Sequence, residues 1–245
     1  TNAHRINRGE FPLFRGARDF FFIEAEDPDQ VVQSVVAAVT SKLPRHLGCD
    51  PIDDVQVLSP MKRSAAGVDN LNAVLRDALN PRRPGASEIR CRGSAFRRGD
   101  KVMQIRNDYD RLVWNGDMGK IVRIDPEEGE VVVRFFEPEG DRDVLYNQDE
   151  LDELALSYCV SIHKSQGSEY PAVVVPVTIQ HYVMLQRNLL YTAVTRARKT
   201  VVLIGTKKAL AIAVRNASML QRQTMLALRL REATAASWPD EEQIG

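Results

Sequence analysis

Residues 160–177 read VSIHKSQGSEYPAVVVPV, and their polar centre places an imidazole, an ammonium, an amide, two hydroxyls and a carboxylate between two apolar segments. Gln166, Gly167, Ser168 and Glu169 offer an amide, an approachable backbone, a hydroxyl and a carboxylate, the groups that grip a ribose and its phosphates. His163, Lys164 and Ser165 offer donors for a phosphodiester backbone. Capping of local turns by Ser and Glu is the plainer explanation, but it leaves the grouping unexplained. A second stretch, LLYTAVTRARKTVVLIG at 189–205, ends a helical pattern on Arg196 and Arg198 and runs at once into an apolar strand. An arginine held there presents a planar fork that suits phosphate oxygens. Basic residues also complement the negative end of a helix dipole, and on these residues alone both explanations stand.

The elements that must hold these groups alternate. DFFFIEAEDPDQVVQSVVAAVTSKL predicts a strand at 20–23 and a helix from near Pro28, and VQVLSP predicts a buried strand. GVDNLNAVLRDALNP predicts a helix with Val68, Leu71, Val74, Leu75 and Leu79 on one face. That is the βαβα rhythm of a parallel sheet covered by helices. Between about residues 88 and 156 it gives way to short strand-like pieces, EIRCR, DKVMQIRN, MGKIVRI, EVVVRFF and RDVLYN, parted by turn signals. The reading is a small β-barrel inserted into an α/β domain, after which the alternation resumes with ALSYCVSI, AVVVPV, a helix at about 184–197, TVVLIG and KKALAIAVRNA. Within the barrel Tyr109 and Trp114, beside an NGD turn, are the exposed pair expected to stack on bases. Phe96 is assigned to its core, together with one of Phe135 and Phe136, which point to opposite faces.

Composition narrows the function classes. The 245 residues carry 33 basic and 33 acidic side chains. Charge is nevertheless segregated, because no Asp or Glu occurs from Tyr170 to Arg231, where Arg187, Arg196, Arg198, Lys199, Lys207, Lys208, Arg215, Arg222, Arg229 and Arg231 fall. Such a segment can attract a polyanion unless the fold supplies acids from elsewhere. Cys49, Cys91 and Cys159 are far apart, which argues against a zinc site or disulfide framework. No membrane span or signal peptide is visible, so a cytoplasmic protein with no membrane partner is expected. Residues 232–245 read as a disordered tail.

These stretches together resemble the RecD-like branch of superfamily 1 DNA helicases. VSIHKSQGSEYPAVVVP looks like motif V, LLYTAVTRARK like motif VI, and VLSPMKRSAAGVDNLNAVLRDALNP like the motif IV region. FRRGDKVMQIRNDYDRLVWNGDMGKIVRID looks like the SH3-like 2B module. Ser64 departs from the pattern, where relatives often have Gly. The fold class implied is α/β, a RecA-like, P-loop NTPase-type parallel sheet domain over 1–85 and 157–231, with an SH3-like barrel inserted at 86–156.

The resemblance implies that Arg196 reaches the γ-phosphate of ATP bound between two RecA-like domains, with Gln166, Gly167 and Glu169 on the nucleotide side. His163 and Ser165 would touch single-stranded DNA, joined by Lys62, by the helix start at Gly67, and by Tyr109 and Trp114. One loop would then couple nucleotide state to DNA grip. The phosphate-binding string G-x-x-x-x-G-K-[ST] does not occur, since GTKK at 205–208 lacks its first glycine and hydroxyl. ATP and Mg2+ are therefore expected in a longer protein whose N-terminal RecA-like domain precedes Thr1, and no metal site is expected in this chain, which alone should hydrolyse no ATP. The parent would be a monomeric 5′ to 3′ helicase. The alternative is a stand-alone single-strand-binding module without a motor.

Overall fold

The computed structural model describes residues 1–85, 87–136 and 140–217. Arg222, Arg229, Arg231 and the expected tail lie outside them. A short helix α1 (Asn2–Asn7), which no sequence signal announced, precedes strand β1 (Phe20–Glu24). Helix α2 (Pro28–Ala37) starts as its sequence dictates: Pro28 fills a first-turn position and Asp27 accepts from the amides of Asp29 and Gln30. It runs through a π-helical turn into α3 (Leu43–Leu47), which stops where Gly48 takes a left-handed φ of +64°. Strand β2 (Val55–Ser59) and helix α4 (Val68–Leu79) complete the first half.

The chain then leaves the sheet. Strands β3 (Glu88–Cys91) and β4 (Ser94–Arg97) form a hairpin. Its tight turn puts Arg92 and Gly93 at positive φ. Strands β5 (Lys101–Gln104), β6 (Met118–Asp125), β7 (Glu130–Phe135), β8 (Arg142–Asn147) and β9 (Leu154–Leu156) form an antiparallel sheet in the order β8-β7-β6-β5-β9. Phe96, Phe135 and Tyr146 are buried in its core, whereas Phe136 is exposed.

The second half returns as β10 (Cys159–Ser161), β11 (Tyr170–Val177), α5 (Arg187–Val194), β12 (Ala197–Gly205) and α6 (Lys207–Arg215). Five parallel strands lie in the order β1-β12-β11-β2-β10. Successive side chains of β11 alternate between two cores, as strand geometry requires. Val173, Val175 and Val177 pack with α1, α5 and α6; Ala172 and Val174 pack with α2, α3 and α4. Burial on both faces is why these strands read as unbroken apolar runs. The helix expected over 184–197 is shorter, because Ile179–Met184 forms a 3-10 turn and Leu185 leaves helical geometry at ψ 76°.

The two parts are joined by a buried polar knot. Arg76 of α4 holds Asp100, on the turn before β5, through two contacts of 3.1 and 2.7 Å. Asn80 and the Tyr158 hydroxyl donate to the same carboxylate at 2.8 and 3.1 Å. Beside it the buried Lys101 ammonium donates to the carbonyls of Ile52 and Val55 at 2.7 and 3.4 Å. Desolvation still pushes its pKa down to about 8.

Candidate functional site

Strand register shows what the polar cluster spans. Ser161, the last residue of β10, is level with Ser59, the last residue of β2. Ala172 of β11 is level with Val55, the first residue of β2. Residues 162–169 therefore travel from the C-terminal edge of the sheet back to its N-terminal edge. They begin as a 3-10 turn, Ile162–Ser165, in which the Ser161 hydroxyl accepts from the Lys164 amide. Ile162 anchors the turn in the apolar core. Gly167, at φ +87°, lets the chain reverse towards β11.

At the N-terminal edge the cluster meets the end of α5. The Tyr170 amide donates to the Arg196 carbonyl at 2.8 Å. The half-buried Arg196 guanidinium donates to the carbonyls of Ser168 and Thr192 and to the Thr195 hydroxyl, at 3.1, 3.2 and 3.3 Å. Arg198 pairs with Glu169 at 3.0 Å, an exposed contact. Ser168 and Glu169 thus meet Arg196 and Arg198 at this edge, with Gln166 and Gly167 on the path towards it, and Gln166, Gly167 and Glu169 are exposed. Burial pushes the neighbouring Tyr170 phenol above its ordinary pKa.

At the C-terminal edge stand His163 and Lys164, both exposed, on the same side of the sheet as Lys62. Two expected contacts take other roles. Ser165 is buried, and its hydroxyl donates to the Ile162 carbonyl at 2.8 Å, so it closes the turn instead of facing a ligand. Gly67 is also buried: a Cβ there would lie 2.7 Å from the Lys62 oxygen and the Ser64 nitrogen. The amides of Val68 and Asp69 already donate to the carbonyls of Met61 and Lys62, so the loop itself satisfies that helix start. Sequence reasoning missed what holds the loop. His181, fully buried, shares a 3.1 Å hydrogen bond with Ser64, and desolvation lowers its pKa to about 4.

The family model described as "ATP-dependent RecD-like DNA helicase SH3 domain" matches residues 71–135, and "UvrD-like helicase C-terminal domain" matches 156–204. The chain is 34% identical over 226 residues to the "ATP-dependent RecD2 DNA helicase" of Deinococcus radiodurans, a match covering 90% of the chain and 29% of that protein. It belongs to the RecD-like helicases. The RecBCD enzyme subunit RecD of Mycolicibacterium smegmatis is 28% identical over 187 residues, 74% of the chain and 30% of that protein. The RecD-like chain therefore spans less than a third of the length of these relatives. Its fold is shared with the Pif1 helicase from Bacteroides, solved with ADP-AlF3 and single-stranded DNA, at 15% identity and a TM-score of 0.51. That likeness covers 96% of this chain and 53% of the other.

In this RecD-like chain Tyr109 and Trp114 form an exposed T-shaped pair with centroids 5.3 Å apart. A backbone bridge between Asp108 and Val113 closes the hairpin tip, and Asp117 accepts from the Trp114 amide at 2.7 Å. The acid-free segment is less positive than it looks. Arg187 caps the end of α6 through the Val214 and Arg215 carbonyls, and Lys207 pairs with Glu24. Among the described residues no three His, Cys, Asp or Glu side chains stand together as metal ligands, and no helix is long and apolar enough to cross a membrane.

Proposed function

We propose that this chain is the C-terminal motor part of an ATP-dependent helicase that moves 5′ to 3′ on single-stranded DNA. The motor domain comprises 1–85 and 157–231, and the barrel at 86–156 is its 2B module. ATP would be bound against Gln166, Gly167 and Glu169, with Arg196 stabilising charge on the transferring phosphoryl. An N-terminal RecA-like domain of the same protein completes the site and brings the phosphate-binding loop. Magnesium would neutralise phosphate charge, and its ligands would come from that other domain, since no donor set among the described residues fits it. Lys62 and His163 take the DNA backbone at the opposite sheet edge, with Tyr109 and Trp114 offering a stacking surface on the barrel.

The observation that supports this most is the single crossing at 162–169. One short segment carries the exposed His163 and Lys164 at one sheet edge and the exposed Glu169 at the other, and Arg196 grips it at Ser168. A shift of that arginine towards a phosphate releases the segment at one end, which is a physical route for coupling two ligands. Arginine fingers contribute roughly 10³ to 10⁵ in rate. DNA-stimulated ATP hydrolysis by the full-length protein should fall in that range for Arg196→Ala, with nucleotide-free DNA affinity little changed. A several-fold loss would make Arg196 a helix-end charge, and absence of hydrolysis by the unmutated full-length protein would favour a binding module without a motor.

A further inference from the structure

Where α4 ends against the barrel lies an open groove of about 720 Å³. Five cations line it, Arg83, Arg97, Arg98, Lys120 and Arg134, and its remaining lining residues are neutral. Three of the five are held by acids outside the lining: Arg97 by Glu88 and Asp77, Lys120 by Asp53, and Arg134 by Asp143. Arg83 and Arg98 are exposed and have no carboxylate partner among the described residues. The Arg98 backbone is fixed by Asn80, which donates to its carbonyl at 3.1 Å. Two free guanidiniums thus share a preformed concavity with three neutralised cations and no acid.

This groove is separate from the edge that carries Lys62 and His163. Helix α4 starts beside the 62–67 loop and ends at Leu79, and its 12 residues make it about 18 Å long. We infer that the groove is a second binding surface for the phosphodiester backbone of a nucleic-acid strand, one helix length from the first. Arg83 and Arg98 supply the forks for phosphate oxygens, and the paired cations shape a wall that repels no anion. The inference rests on the groove alone and stands whether or not Arg196 reaches a phosphate.

The test is fluorescence anisotropy of a long labelled oligothymidine against the full-length protein across a salt series. Arg83→Gln with Arg98→Gln should weaken binding several-fold and flatten the log-log salt slope by roughly 1 to 1.5, at about 0.7 for each phosphate no longer neutralised. Arg83→Lys with Arg98→Lys should keep most of the slope, because counterion release reads charge. Lys62→Ala with His163→Ala should weaken binding separately, so that combining the two pairs multiplies their effects. Unchanged affinity and slope in the Gln pair would overturn the groove as a binding surface while leaving the edge site intact. A Lys pair as weak as the Gln pair would overturn it too, by revealing a structural role. If the Gln pair weakens binding and the Lys62 and His163 pair does not, the groove stands and the edge site falls.

Discussion

The Arg196 guanidinium and the Ser168 carbonyl, 3.1 Å apart, fasten the end of α5 to the C-terminal end of the polar cluster. Arg196 also bonds its own helix at Thr192 and Thr195. The side chain proposed to act on a phosphate is therefore a latch on the segment it would release. A lysine could keep the charge but not three separate contacts. Arg196→Lys should accordingly lose nearly as much turnover as Arg196→Ala, measured as steady-state hydrolysis by the full-length protein. Near-normal activity in the lysine variant would show that charge alone suffices.

Ser165 and His163 should separate cleanly. Removing the buried Ser165 hydroxyl deletes its hydrogen bond to the Ile162 carbonyl from the interior, at a cost of about 1 kcal/mol. His163→Ala removes an exposed side chain and should stay within about 0.5 kcal/mol, while lowering single-strand affinity. Urea unfolding together with anisotropy distinguishes the two; equal stability losses would contradict the assignment.

Acid should attack the fold through His181. Its folded pKa, about 4, lies below the ordinary 6.5, so the unfolded chain takes up the proton first. The neutral-histidine contribution is complete above pH 6.5 and is lost as pH falls towards 4, on the order of 3 kcal/mol in all. His181→Gln should flatten stability across that window. An unchanged pH slope in the variant would assign the acid sensitivity to other groups.

Lys101 makes an alkaline counterpart. Its folded pKa of about 8 lies below the ordinary 10.5, so the folded state gives up the proton first and stability rises with pH between those values. The gain is on the order of 3 kcal/mol. Denaturant midpoints from pH 8 to 10.5 should climb in the wild type and stay flatter in Lys101→Met.

Gly67→Ala should be costly despite an ordinary backbone conformation. The added Cβ meets two backbone atoms of the 62–67 loop at 2.7 Å, which cannot swing aside as a side-chain tip could. Overpacking of this kind costs about 1 to 3 kcal/mol, and thermal melting measures it. A melting temperature equal to wild type would mean that the loop relaxes freely.

The parallel sheet was legible because strands buried on both faces must be largely apolar, as β11 is throughout and β2 is at Val55, Val57 and Leu58. Strand β4, SAFR, escaped notice because it lies in a stretch dominated by Pro, Gly and Arg, and β9 was merged with β10 in the single apolar stretch ALSYCVSI. The run of polar types at 166–169 was legible in the sequence, whereas its placement beside Arg196 was implied by the family resemblance alone. The role of Ser165 was not legible, since a polar side chain that bonds its own turn reads in sequence like one that faces solvent. The Ser64 and His181 contact joins residues 117 positions apart and left no local signal. The groove was invisible for the same reason: Arg83, Arg98, Lys120 and Arg134 meet only after the barrel has closed.

The knot around Asp100 also bears on how such a chain can change over generations. A barrel spliced between a helix and a strand looks removable, since the path enters after α4 and returns at β10. Excision would take Asp100, the counter-charge of Arg76, and even its replacement alone, which breaks a buried pair from one side, costs about 3 to 5 kcal/mol. Tyr158 and Asn80 would lose their acceptor at the same stroke. An ancestor could have accepted the insertion as a passenger, but a descendant that evolved this ion pair cannot readily discard it. The inserted module has become part of what stabilises its host.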